Sequence, residues 1–86
     1  MFEVRVKRPA EKSLLKVRAD YRKAVFEILD ELKTDPIPYK TRDVRRLEGY
    51  KNHFRIRKGK IRSVYELSLE DLRIVVHEID FRGNVY

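Results

Sequence analysis

HFRIRKGKIRSVYE, residues 53–66, reads as two short strands joined at Gly59. Side chains alternate along a strand, so Phe54 and Ile56 share one face while Arg55 and Arg57 share the other. On the second strand Ile61, Ser63, Tyr65 and Leu67 form one set, and Arg62, Val64 and Glu66 form the other. The bend decides how the sets combine. A two-residue loop, Lys58-Gly59 or Gly59-Lys60, puts Arg62 on the face of Arg55 and Arg57, opposite one of them. A three-residue loop would instead place Ile61 and Tyr65 among the arginines and break up the apolar face. Register follows the consistent burial of one face, so the two-residue loop is predicted.

Three guanidiniums are thereby expected on one sheet face. Like charges directly opposite each other cost up to about 1 kcal/mol, and within the two strands only Glu66, further along, is acidic. Arginine stays charged at any relevant pH and presents a planar fork of donors that matches phosphate oxygens. The cluster points to a phosphate-binding surface, with a solvated basic face as the alternative. The 86 residues carry a net charge of +7, yet residues 40–62 hold ten Lys and Arg against Asp43 and Glu48. The other 63 positions hold eleven basic and twelve acidic residues, so one segment carries the whole imbalance. Such focusing suits a polyanionic partner, either nucleic acid or an acidic protein.

Outward from the hairpin, RIVVHEID (residues 73–80) is the most strand-like run, with Glu70-Asp71 as the turn before it and Asp43 to Leu47 as a weaker strand. FEVRV (residues 2–6) alternates apolar and charged residues, as an edge or outer strand does. Pro9 suits the first turn of a helix running through Leu14, Leu15 and Val17. Asp20 is the expected N-cap of a longer helix. Its Tyr21, Val25, Ile28 and Leu32 recur at spacings of four, three and four, widened by Phe26 and Leu29, and all are expected in the core. Asp35-Pro36-Ile37-Pro38 ends that helix. The predicted fold is a single α+β domain over residues 1–86. It has an N-terminal strand, two helices forming an antiparallel hairpin, then an antiparallel meander of three to four strands, with the helices on one face of a twisted sheet.

The absence of cysteine excludes a disulfide framework and thiolate metal sites, and with only two histidines no metal is expected. No apolar run approaches the roughly 20 residues of a membrane span, and MFEVRVKRP lacks the hydrophobic stretch of a signal peptide. A soluble, cytoplasmic protein without a membrane partner is expected. His77, in its apolar run, reads as a packed or edge histidine. His53 precedes the basic strand and could touch RNA; Tyr50 could stack on a base, whereas Phe54 belongs to the core by its alternation. Near the end, Arg82 and Tyr86 stand four residues apart around Gly83, which permits a tight turn toward the sheet.

Leu47-Glu48-Gly49, Phe54-Arg55-Ile56-Arg57 with Gly59, Arg62-Ser63-Val64-Tyr65, and Arg82-Gly83 with Tyr86 together resemble, in order and spacing, the RelE-type toxins of the RelE/ParE toxin–antitoxin superfamily. The similarity runs over nearly the whole chain. Asp35-Pro36-Ile37-Pro38 and the Arg82-Gly83 ending are most like archaeal-type members. The resemblance implies a ribosome-dependent mRNA endoribonuclease, or mRNA interferase, that enters the A site and inhibits translation. There the messenger's own 2′-hydroxyl attacks the adjacent phosphate, with no metal and no cofactor. It also implies three partners: the ribosome, mRNA and a cognate RelB-type antitoxin.

Carried over by position, Arg55 and Arg57 match the basic pair of the family's first hairpin strand, and Arg62 the arginine that contacts the scissile phosphate. Arg82 matches the basic residue of the C-terminal stretch, and Tyr86 the tyrosine used as general base in some bacterial members. Arg45, Arg46, Lys51, Lys58 and Lys60 complete the expected RNA contacts. Two positions depart from the pattern: Phe81 stands where many members have histidine, and arginines replace the lysines of bacterial first strands. A chain ending at Tyr86 would also set a carboxylate beside the phenol, opposing phenolate formation. The alternatives are a toxin of the same fold that inhibits DNA gyrase without cutting RNA, and a noncatalytic basic RNA-binding module. The arginine set favours the nuclease.

Overall fold

The computed structural model describes residues 1–83. Its elements are β1 (Glu3–Val6), α1 (Arg8–Lys16), α2 (Ala19–Thr34), β2 (Asp43–Arg46), β3 (His53–Lys58), β4 (Ile61–Ser68) and β5 (Arg73–Phe81). The strands form one sheet in the order β1-β5-β4-β3-β2. β2 to β5 make the expected antiparallel meander, and β1 lies at the edge, parallel to β5. Parallel neighbours need a crossover connection, and the helices begin that crossover.

Gly59 and Lys60 form the two-residue loop of the central hairpin. Arg57 consequently faces Arg62, Ile56 faces Ser63 and Phe54 faces Tyr65. Gly59 has φ +55°, the left-handed value that a type II′ loop requires at its first position. One sheet face is therefore apolar. Phe54, Ile56, Ile61, Tyr65, Ile74, Val76 and Ile79 are buried with Ala10 and Leu14 of α1 and Val25, Ile28, Leu29 and Leu32 of α2. The Tyr65 hydroxyl donates to the Pro36 carbonyl at 2.7 Å, tying the segment after α2 to the sheet. Burial pushes that phenol far above the ordinary tyrosine value, so it stays a neutral donor.

Two local expectations change, and one strand departs from regular pairing. Arg18 rather than Asp20 is the N-cap of α2, and no side chain caps it; Asp20 lies inside the first turn, where its charge suits the helix dipole. Phe26 is exposed, because the face of α2 carrying Val25, Ile28, Leu29 and Leu32 meets the sheet instead. Finally, β5 contains one extra residue. Tyr65 pairs with Val76 and Val64 with Glu78, which leaves His77 between them. This bulge lets Val76 and Ile79 both face the core while His77 and Glu78 both stay on the open side. Among the described residues, no helix is long and apolar enough to cross a membrane.

Candidate functional site

The face of β2 to β5 away from the helices carries the charges. Arg45 stands opposite Arg55, and Arg57 opposite Arg62. The arginines thus gather on one side, but two of them have carboxylate partners that the hairpin alone does not reveal. Asp43 of β2 lies 3.2 Å from Arg55, and Asp80 of β5 lies 3.3 Å from Arg62, with Glu78 at 3.9 Å. Within the hairpin Glu66 is indeed the only acid, and these partners arrive from the flanking strands. Arg57 makes no ion pair among the described residues.

The Arg62 side chain is 39% exposed, and its acidic partners are more open still. Surface ion pairs of this kind contribute about 1 kcal/mol or less. They orient the guanidinium without sealing it. Glu78 and Asp80 also crowd each other. Their hydrogen bond, followed by partial burial and the Asp80 charge, pushes the Glu78 carboxyl up, while Arg62 acts in the opposite direction. Carboxylate oxygens beside Arg62 occupy ground that phosphate oxygens could take with the same fork of donors.

At the hairpin end, Arg57, Lys60, Arg62, Asp80 and Arg82 line a cleft of about 250 Å³. The Arg82 amide donates to the Lys60 carbonyl at 2.8 Å, which holds Arg82 beside the hairpin bend, and Gly83 follows with φ +69°. A second cleft, about 410 Å³, is lined by Arg62, Val64, Tyr50, His53, His77 and Glu78. Arg62 belongs to both. It is the hinge point of the charged face.

Two sequence candidates, Lys58 and Arg46, do not join this surface. Lys58 shares the face of Phe54 and Ile56, beside Asp20 and Tyr21 of α2 and within electrostatic reach of Glu31. Arg46 pairs with Phe54 in register and lines a helix-side groove with Ile37 and Leu67. Strand alternation gathers the arginines and sends these two the other way. Lys51 is exposed in the loop before β3. Tyr86 lies outside the described residues.

The site also contains a group that the sequence reading did not assemble. His53 and His77 stack with ring centroids 5.2 Å apart, and both face Glu66. His77 Nε2–H donates to Glu66 Oε1 at 2.9 Å. That bond, together with the charges of His53, His77 and Lys7, holds the Glu66 carboxyl below its usual value against partial burial. Glu66 therefore serves histidines rather than arginines. His53 and Glu66 are register partners across the hairpin, so that pair was within reach of the loop argument; adding His77 required the bulged register of β5.

No family model matches the chain. A candidate RelE toxin of Methanocaldococcus jannaschii, RelE1, is 32% identical over 85 residues, covering 99% of this chain and 94% of that protein. A chain of the archaeal RelE–RelB complex from Pyrococcus horikoshii OT3 superposes with a TM-score of 0.85 at 26% identity, covering 98% of each chain. A chain of the intact Escherichia coli RelBE toxin–antitoxin complex gives 0.79 at 17% identity over 98% of this chain and all of that one, a likeness of fold alone.

Proposed function

The chain belongs to the RelE family of toxins, and from that premise we propose that it is a ribosome-dependent mRNA endoribonuclease. It acts in the cytoplasm and is restrained by a cognate RelB-type antitoxin. The supporting observation is the shared cleft of Arg57, Arg62 and Arg82. A net charge of +7 favours both an RNA substrate and an antitoxin with acidic segments.

In this reading the messenger lies along the open sheet face. Its scissile phosphate takes Arg62 from Asp80 and Glu78, with Arg57 across the hairpin and Arg82 on the third side. The 2′-oxygen attacks the adjacent phosphorus, its proton passes to the base, and the bond to the 5′-oxygen breaks as that oxygen takes up a proton from solvent. The products are a cyclic phosphate and a free 5′-hydroxyl. Negative charge grows on the nonbridging oxygens, where fixed guanidiniums stabilise it most. Those guanidiniums supply the positive charge that a metal ion provides elsewhere, so the step needs none. Tyr86 is the proposed base; an ordinary tyrosine is ionised to about one part in a thousand at neutral pH, a fraction that arginines beside it would increase. Arg45, Arg55, Lys51 and Lys60 hold the flanking backbone, and Tyr50 offers a ring to a base. Arg46 and Lys58 face the helix side and take no part in the messenger path.

In vitro translation with mapping of messenger ends tests the proposal. Wild type should produce cuts at A-site codons, and Arg62→Ala or Arg82→Ala should reduce them about a hundredfold. End maps unchanged by wild-type protein would reject the nuclease, and loss of gyrase supercoiling in a parallel assay would assign the chain to the other activity of the fold.

A further inference from the structure

Three adjacent strands bring His53, Glu66 and His77 together beside Arg62, and the proposed phosphate chemistry uses none of them. We propose that the two imidazole Nε2 atoms and Glu66 Oε1 form a three-ligand site for a divalent transition-metal ion of the zinc class. Glu66 Oε1 lies 2.9 Å from His77 Nε2 and 3.8 Å from His53 Nε2. All three donor atoms fall within 4.8 Å of one another. Ligands about 2.1 Å from a tetrahedral ion stand about 3.4 Å apart, a value between the two measured separations. Small ring movements would seat the ion.

Hydrogen bonding prepares His53 for this role, while at His77 the ion would replace the Nε2 proton now donated to Glu66. His53 Nδ1–H donates to the Lys51 carbonyl at 2.7 Å. A carbonyl only accepts, so a neutral His53 carries its proton there and turns a bare Nε2 lone pair toward the Glu66 carboxylate. Facing the carboxylate, that lone pair is open to a cation, either a proton or a metal ion. A backbone carbonyl on the far nitrogen is also a common support for a metal-ligating histidine, fixing its tautomer and ring orientation. On the other side, the bulge of β5 sets His77 into the cluster, a use of bulges familiar at functional sites.

The ligand set selects the ion. Two imidazoles and one carboxylate suit zinc and its neighbours, whereas magnesium and calcium prefer oxygen ligands throughout. The side chains of His53, Glu66 and His77 are 21%, 45% and 26% exposed, which leaves a path for the ion and room for a water as fourth ligand. An ion there would clip β3, β4 and β5 together and add positive charge to the cleft that Arg62 shares.

The test uses the full chain stripped with EDTA and titrated calorimetrically with zinc chloride, with thermal melts in zinc and in magnesium. Expected are one-to-one zinc binding, a melting temperature that rises and saturates with zinc but not magnesium, and at least a tenfold weaker affinity in each of His53→Ala, His77→Ala and Glu66→Gln. If an alanine variant fails to fold, proton NMR of the wild-type imidazoles decides: both rings must shift with zinc at one-to-one stoichiometry. Absence of stoichiometric binding, affinity unchanged in the folded variants, or unshifted imidazoles overturns the site. No RNA enters the measurement, so it stands or falls independently of the nuclease.

Discussion

Phe54 and Arg55 are neighbours in sequence and occupy different media. Phe54 is 6% exposed and stacks on Tyr65 at 5.7 Å between ring centroids; Arg55 faces the other way, toward Asp43. The same division runs through β3 and β4, where alternate residues build either the packed face or the charged one. The packed face gains from burial of any apolar group that fits. The charged face places Arg57 opposite Arg62, an arrangement that lowers stability and has value only toward something negative. Fold and site are therefore separable by residue parity on a single hairpin.

Deep on the packed side, Tyr65→Ala should have the largest effect. It removes a fully buried ring and the Pro36 hydrogen bond, for a loss of about 3–5 kcal/mol, a large share of the 5–15 kcal/mol typical of a small domain. Urea unfolding measures it. Tyr65→Phe, keeping the ring, should lose about 1 kcal/mol. On the charged side, Arg62→Ala should reduce messenger cutting about 10²- to 10³-fold while changing unfolding stability by less than about 1 kcal/mol. A variant that loses both together would break the division between faces.

Some charges belong to the fold. Glu31 accepts hydrogen bonds from Thr41 Oγ1 and Arg42 Nε, each at 2.6 Å, fastening the loop before β2 to α2. The Thr41 and Arg42 hydrogen bonds, chiefly, hold its carboxyl below the ordinary 4.5. A depressed carboxylate contributes stability that is complete above its unfolded value and is lost as pH falls through its folded one. Glu31→Gln should thus cost about 1 kcal/mol at neutral pH, and its difference from wild type should close as pH falls below about 4. Denaturant midpoints across pH measure this. Cutting per folded molecule should not change.

The hairpin was legible because one short loop and one buried face admit a single parity. Either two-residue loop around Gly59 gathers the arginines on one face, and the structure takes Gly59-Lys60, which sets Arg57 opposite Arg62. The partners of those arginines were not legible. Asp43 and Asp80 reach them across registers set by the loop of residues 47–52 and by the β5 bulge, and no local pattern in RIVVHEID marks where an extra residue is absorbed. The His53–Glu66–His77 group was hidden for the same reason. Lys58 and Arg46 are a different kind of miss. Their parity with Ile56 and Val44 was readable, but they were chosen for charge within a basic segment rather than for face.

That miss yields the smallest expected effect and the sharpest comparison. Arg57 and Lys58 are adjacent, both cationic, and equally near the bend. A basic surface acting only through its overall field would treat them alike, since removing either lowers the net charge by one. Placement distinguishes them: Arg57 lines the cleft with Arg62 and Arg82, and Lys58 lies beside α2. Arg57→Ala should therefore slow cutting about tenfold, the scale of a lost charge-assisted phosphate contact, while Lys58→Ala should stay within about twofold at the same salt. Rates in translation extracts at two ionic strengths separate the cases. Equal losses that vanish together in high salt would mean the charged face works as an undirected cloud, and the geometry of the cleft would carry no chemistry.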